Sequence, residues 1–175
     1  MKKYKVLFID MDGTLIQTKS GKTFPKGIWD MRFKFDVLYA IKKLSPEYVC
    51  IVSNQGGIEL GYVEYMHMVS KMSYVCSVIS EYCKIEYSNI SYRFCKLNDK
   101  QNPWRKPNTG MLEDYMHFNF NCYNKPDCSK EEILMIGDAS GLPGQFSDSD
   151  KKCAENFGID YLDVNDFCKI YLGNL

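Results

Sequence analysis

The chain has 175 residues, 45% hydrophobic and 25% charged, so it can bury a real core without a disulfide or metal staple. Lys+Arg 22 against Asp+Glu 22 leaves no net charge, which excludes a global basic field of the kind that marks many nucleic-acid binders. The opening MKKYKVLFID has too short an apolar stretch, interrupted by Asp10, for a signal peptide or a membrane span.

Lys5 to Ile9 is an apolar run ending at an acidic turn, which predicts a fully buried first strand. Phe35, Leu38, Ile41 and Leu44 fall close to one face, predicting a helix over 33–44. Tyr48 to Val52 reads as a second buried strand that runs into Ser53-Asn54-Gln55-Gly56-Gly57. Tyr62 to Cys83 has a helical pattern with an expected break near Ser73, and Ile90 to Cys95 reads as a third strand. A helix is expected from about Thr109 past Tyr115, then a strand over Ile133 to Ile136 ending at Gly137-Asp138. A helix near Lys151 to Phe157, a short strand at Ile159 to Leu162 and a helix from Asn165 complete the pattern. The polar segments Leu97 to Pro107 and Asn119 to Lys130 read as loops.

Strands alternating with helices predict an α/β fold, a Rossmann-like three-layer sandwich with a mostly parallel central sheet. Its expected extent is a single domain over 1–175. The eight cysteines form no CxxC pair, and neither His67 nor His117 stands at zinc-ligand spacing from one, so no structural zinc is expected. Reduced thiols and a cytoplasmic location are the matching expectation. His67 and His117 are expected to be structural, and a monomer is favoured.

The chemistry sits at the strand ends. In a parallel sheet ligands bind outside the carboxyl ends of the strands, so Asp10, Asp12, Ser53 and Asp138 would converge there. Of two carboxylates one residue apart, one can attack as a nucleophile while the other carries a proton. Facing carboxylates repel, and oxygen-only ligands beside a phosphate substrate point to Mg²⁺ as the neutralising cation.

The run DMDGTL from Asp10 to Leu15 resembles the first motif of the haloacid-dehalogenase-like phosphatases. Ser53, Lys106 and Asp138 (in IGDAS) stand in order where that superfamily has its second, third and fourth motifs. The resemblance implies that Asp10 attacks phosphorus to form an aspartyl-phosphate while Asp12 serves as acid and then base. It implies that Lys106 offsets charge, and that Ser53, Asn54, Gly13, Thr14 and Lys106 hold phosphate oxygens. It also implies Mg²⁺ on Asp10, Asp138 and the backbone carbonyl of Asp12. Roughly forty residues between the first two motifs leave little room for a cap domain beyond helices of ~10–14 residues, so the site is expected to be open.

Further strings resemble the 3′-phosphatase domain of the polynucleotide kinase/phosphatase family. They are Phe24-Pro25 with Trp29 in a flap around 14–32, SNQGGIELG, RKPNTGM, GDASG and FSDSDKKCAENFGI. This resemblance implies a Mg²⁺-dependent phosphomonoesterase that removes 3′-phosphates from DNA ends, a DNA-repair activity. Trp104, Arg105 and Phe24 are the expected nucleic-acid contacts. Leu142 and Gln145 depart from the family pattern, which has arginine and an acid there. Asp150 is expected to be a solvated helix-start carboxylate. No GxxxxGK[ST] is present, so a stand-alone phosphatase is expected. The alternative is a histidinol-phosphate or heptose-bisphosphate phosphatase, whose usual Cys/His zinc loop is missing here. A degenerate fold used only for binding is disfavoured, since nucleophile, acid, lysine and metal carboxylate are all present.

Overall fold

Val6–Ile9 has four apolar residues in succession, a pattern that suits a strand covered on both faces. In the computed structural model, which describes residues 2–22, 25–122 and 126–173, it forms β1 at the centre of the main sheet. Its neighbours are β4 (Tyr48–Asn54) and β6 (Ile133–Gly137), with β5 (Ile90–Cys95) and β7 (Asp160–Asp163) outside them. The order is β5-β4-β1-β6-β7 and every pairing is parallel. Two short strands, β2 (Ile16–Gln17) and β3 (Arg32–Phe33), pair antiparallel at the base of the flap.

Successive residues of β1 serve opposite layers. Leu7 and Ile9 join Leu38, Ile41, Met72, Val75 and Phe167 on one face, under α1 (Phe35–Leu44), α2 (Tyr65–Cys83) and α5 (Val164–Leu172). Val6 and Phe8 join Met111, Tyr115, Cys153 and Ala154 on the other, under α3 (Gly110–Met116) and α4 (Ser149–Phe157). The result is the expected three-layer α/β sandwich, and no separate cap domain is evident among the described residues.

Local differences from expectation have plain causes. α2 runs unbroken past Ser73, because serine hydroxyls fold back on the helix: Ser70 Oγ donates to Met66 O and Ser77 Oγ to Ser73 O. Of the segment expected as a loop, Asn119 to Lys130, the first residues instead continue α3 in a π-helical stretch, His117–Cys122, residues 126–129 carry no helix or strand, and 123–125 lie outside the described residues. Among the described residues no helix is long and apolar enough to cross a membrane.

Candidate active site

The chain leaves β1 for β4 on one side, and β6 closes the other, so the strand order reverses at β1. In open α/β sheets the ligand crevice lies at such a switch point, beyond the carboxyl ends of the strands. Asp10 follows β1 directly, its N–H extending the ladder by donating to Ile136 O at 3.0 Å. Its carboxyl is buried, and Oδ1 receives the ammonium of Lys106 at 2.7 Å. The same Nζ donates to Val52 O and lies 2.7 Å from Asp150 Oδ1. Burial alone would push this ammonium's pKa down, but Asp10 and Asp150 outweigh it and raise the pKa. Lys106 is therefore a fixed positive charge held between two carboxylates.

Asp10, Asp138 and Asp150 bring carboxylate oxygens within 4.8 Å of one another. Burial raises the pKa of Asp10 to about 8, with Asp150 and Asp138 adding to the rise and Lys106 opposing it. Asp138 is raised by burial and by Asp150. Three carboxylates against one ammonium leave a surplus of two negative charges in a buried place. A hard, oxygen-seeking divalent cation of the Mg²⁺ type fits that donor set and that charge.

Sequence reasoning missed Asp150. It stands in the first turn of α4, as expected of a helix-start acid, but its side chain is 2% exposed and not solvated. Oδ2 accepts from Ala139 N at 3.1 Å and packs where a Cβ on Gly137 would come within 2.1 Å. Its position as the second acid of FSDSD is the only signal that the sequence carried for it.

Asp12 lies apart from the carboxylate cluster. Its side chain is 50% exposed, with Oδ2 accepting from Gln55 Nε2 at 2.6 Å and Oδ1 facing Lys71 Nζ at 3.3 Å. Only its backbone carbonyl is left for the metal role expected of this residue. Ser53, next to last in β4, is buried and accepts from Gln55 Nε2 at 2.8 Å. Gln55 thus ties the serine to the acid, a link that sequence spacing did not suggest.

Three residues expected to grip phosphate have other partners here. Asn54 accepts from Lys106 N and donates to Lys106 O, both at 3.0 Å, so its amide clamps the lysine's backbone. Gly13 spends its N–H on Ile16 O, while its own carbonyl accepts from Lys34 Nζ. Its φ is +88° and a Cβ would lie 2.0 Å from Asp138 Oδ2, so the glycine makes room for that carboxylate. Thr14 is buried with Oγ1 3.4 Å from Asp138 Oδ1.

Of the expected nucleic-acid contacts, Trp104 is 36% exposed on the loop that carries Lys106. Arg105 is half-buried and donates to Leu97 O at 2.9 Å, which ties down the loop. Phe24 lies outside the described residues. The flap is held by Asp30, which accepts from Ser20 N, Ser20 Oγ and Lys26 N, and by Trp29 edge-on to Tyr74 of α2. His67 is exposed on α2 beside Glu64, away from the carboxylate cluster.

Comparison with known proteins gives the same class of site. The bifunctional polynucleotide phosphatase/kinase of Schizosaccharomyces pombe is 32% identical over 91% of this chain, which spans 36% of that protein. The histidine biosynthesis bifunctional protein HisB of Campylobacter jejuni subsp. doylei is 31% identical over 89% of this chain and 40% of its own length. The chain thus spans well under half of these two relatives. A solved D,D-heptose 1,7-bisphosphate phosphatase from B. bronchiseptica, complexed with magnesium and phosphate, superposes with a TM-score of 0.63. It is 18% identical, with 96% of this chain and 98% of that one covered. The fold is that of the haloacid-dehalogenase-like phosphatases, and the clustered carboxylates of Asp10, Asp138 and Asp150 supply the oxygen ligands that Mg²⁺ takes. The family model described as polynucleotide kinase 3 phosphatase matches residues 5–167, and the chain belongs to that family.

Proposed function

We propose that the chain hydrolyses phosphomonoesters with Asp10 as the nucleophile and Asp12 as the proton carrier. The observation that supports this best is the division of labour between them. Asp10 is buried among Lys106, Asp138 and Asp150, whereas Asp12 is half-exposed and free of that cluster. Mg²⁺ held by Asp10, Asp138 and Asp150 would neutralise charge on the transferring group. Lys106 opposes the rise that burial imposes on Asp10 and fixes its aim, so that, once Mg²⁺ neutralises the cluster, the ionised carboxylate would have a free oxygen to attack phosphorus. Asp12 gives its proton to the departing ester oxygen, then takes one from the water that cleaves the aspartyl-phosphate. To Ser53, buried near the end of β4 with its hydroxyl bonded to Gln55, we assign a contact to a phosphate oxygen.

For the substrate, the reading carried forward is a small phosphomonoester of the histidinol-phosphate or heptose-bisphosphate kind. It is supported by the HisB relatives, of which the C. jejuni subsp. doylei protein matches 89% of this chain at 31% identity. A second reading, a polynucleotide 3′ end, is favoured by the family model and by the S. pombe relative. The zero net charge and the engagement of Arg105 with Leu97 O weigh against it.

A substrate panel with Asp10→Asn as the blank tests both levels. Histidinol phosphate, a heptose bisphosphate, a 3′-phosphorylated oligonucleotide and an aryl phosphate are compared at fixed Mg²⁺ and salt. Turnover by Asp10→Asn equal to wild type would remove the nucleophile assignment. A kcat/KM highest for the small esters supports the first reading. Preference for the oligonucleotide, falling steeply with salt, replaces it with the second.

A further inference from the structure

Lys71 is a buried charge in the wrong place for packing. The inward face of α2 is Met68, Lys71, Met72, Val75, Cys76 and Ile79, so the lysine sits in the middle of an apolar stripe. It is 3% exposed. A leucine or methionine there would complete the pattern without the desolvation that a buried ammonium incurs. The other buried charges have close partners: Lys106 with Asp10 and Asp150, and Asp163 with Ser140 and Gln145. Lys71 is answered by Asp12, 59 residues earlier in the chain, through Nζ to Oδ1 at 3.3 Å.

With Gln55 on Oδ2, Lys71 holds Asp12 from both sides while the carboxyl stays half open to the crevice. We propose that Lys71 is a positioning residue: its ammonium fixes the Asp12 carboxyl on the side from which the leaving group departs. The inference rests on Asp12 being the proton carrier, as set out above. Lys71 itself transfers nothing. The proton moves from Asp12 to the ester oxygen as its bond to phosphorus breaks and the bond from Asp10 forms.

The test compares esters that differ in their need for that proton. A p-nitrophenolate leaves unaided, whereas the alkoxide of glycerol 1-phosphate must be protonated. The quantity read is kcat/KM, which covers only the steps up to aspartyl-phosphate formation. For Lys71→Met, kcat/KM on glycerol 1-phosphate is expected to fall by about 100-fold or more, the scale of general-acid catalysis. On p-nitrophenyl phosphate the fall should stay within about threefold, and the melting temperature should hold or rise. In an Asp12→Asn background, Lys71→Met should cost less than about twofold more, because its partner is already disabled. Equal losses on the two esters, or an undiminished loss in the Asp12→Asn background, would overturn the proposal and leave Lys71 a structural residue. If Lys71→Met does not fold, Lys71→Gln is read by the same ester ratio. An Asp12→Asn variant that treats both esters alike would remove the proton-carrier assignment itself. One that discriminates, beside a Lys71→Met that does not, sinks only the role of Lys71.

Discussion

Asp150 has the most to say at the scale of single residues. One carboxylate oxygen balances Lys106 and the other accepts Ala139 N–H, so it fixes both the cation of the site and the turn after β6. Asp150→Asn keeps the shape and the Ala139 contact but removes a charge. Its Mg²⁺ requirement, read by titrating activity, is expected to rise about 10–100-fold, the usual cost of disturbing a metal's surroundings. An unchanged Mg²⁺ titration would separate Asp150 from the metal. Asp10 and Asp138 were legible in the sequence as carboxylates that meet, because strand ends announce them. Asp150 and Lys71 were not, since each lies on a helix whose inward face is known only after the helix has docked. Asn54, expected on a phosphate oxygen, carries its amide on the Lys106 backbone here: a polar residue at a strand end can serve the neighbouring loop as readily as a ligand.

Among the elements, the turn that follows β1 carries the tightest constraint. Gly13 combines a left-handed φ with contact against Asp138, and Lys34 anchors its carbonyl. Gly13→Ala would be strained by about 1–2 kcal/mol from the backbone alone. Its new methyl must also displace the Asp138 carboxylate. Activity is expected to drop about 100-fold, as ~1 Å misplacements in active sites do. The variant should remain folded by circular dichroism, and a variant with wild-type turnover would refute the spacing argument. Strands and helices were readable where apolar runs were unbroken, as in β1, β4 and β6. The serines of α2 mimicked a break because a hydroxyl bonded within the helix looks, in sequence, like one waiting to cap it.

For the molecule as a whole, the cluster couples folding to pH and to metal. Without a cation, burial and the neighbouring Asp150 and Asp138 hold Asp10 at about 8, far above the ordinary carboxylate range. A raised acid pKa means that the folded state holds a proton which the unfolded chain has already lost. That contribution to stability is complete below the ordinary carboxylate range and drains away as pH rises through about 8. The melting temperature of metal-free protein is therefore expected to fall between about pH 4 and pH 8 and to level off above. Mg²⁺ at about 100 times its Kd adds about 2.7 kcal/mol, or ~5–10 °C for a chain of this size. The Mg²⁺-induced gain should widen with pH over that window, measured by thermal melts with and without a chelator. A gain that shrank with pH would show that ionised Asp10 does not meet the cation.

The bond from Lys106 to Asp10 bridges 96 positions of the polypeptide, and the bond from Lys71 to Asp12 bridges 59. No contiguous fragment shorter than the span from Asp10 to Asp150 can therefore assemble the reacting groups. Turnover reports on completion of the sheet: a chain caught midway through refolding, with helices formed but β6 not yet docked beside β1, is catalytically silent.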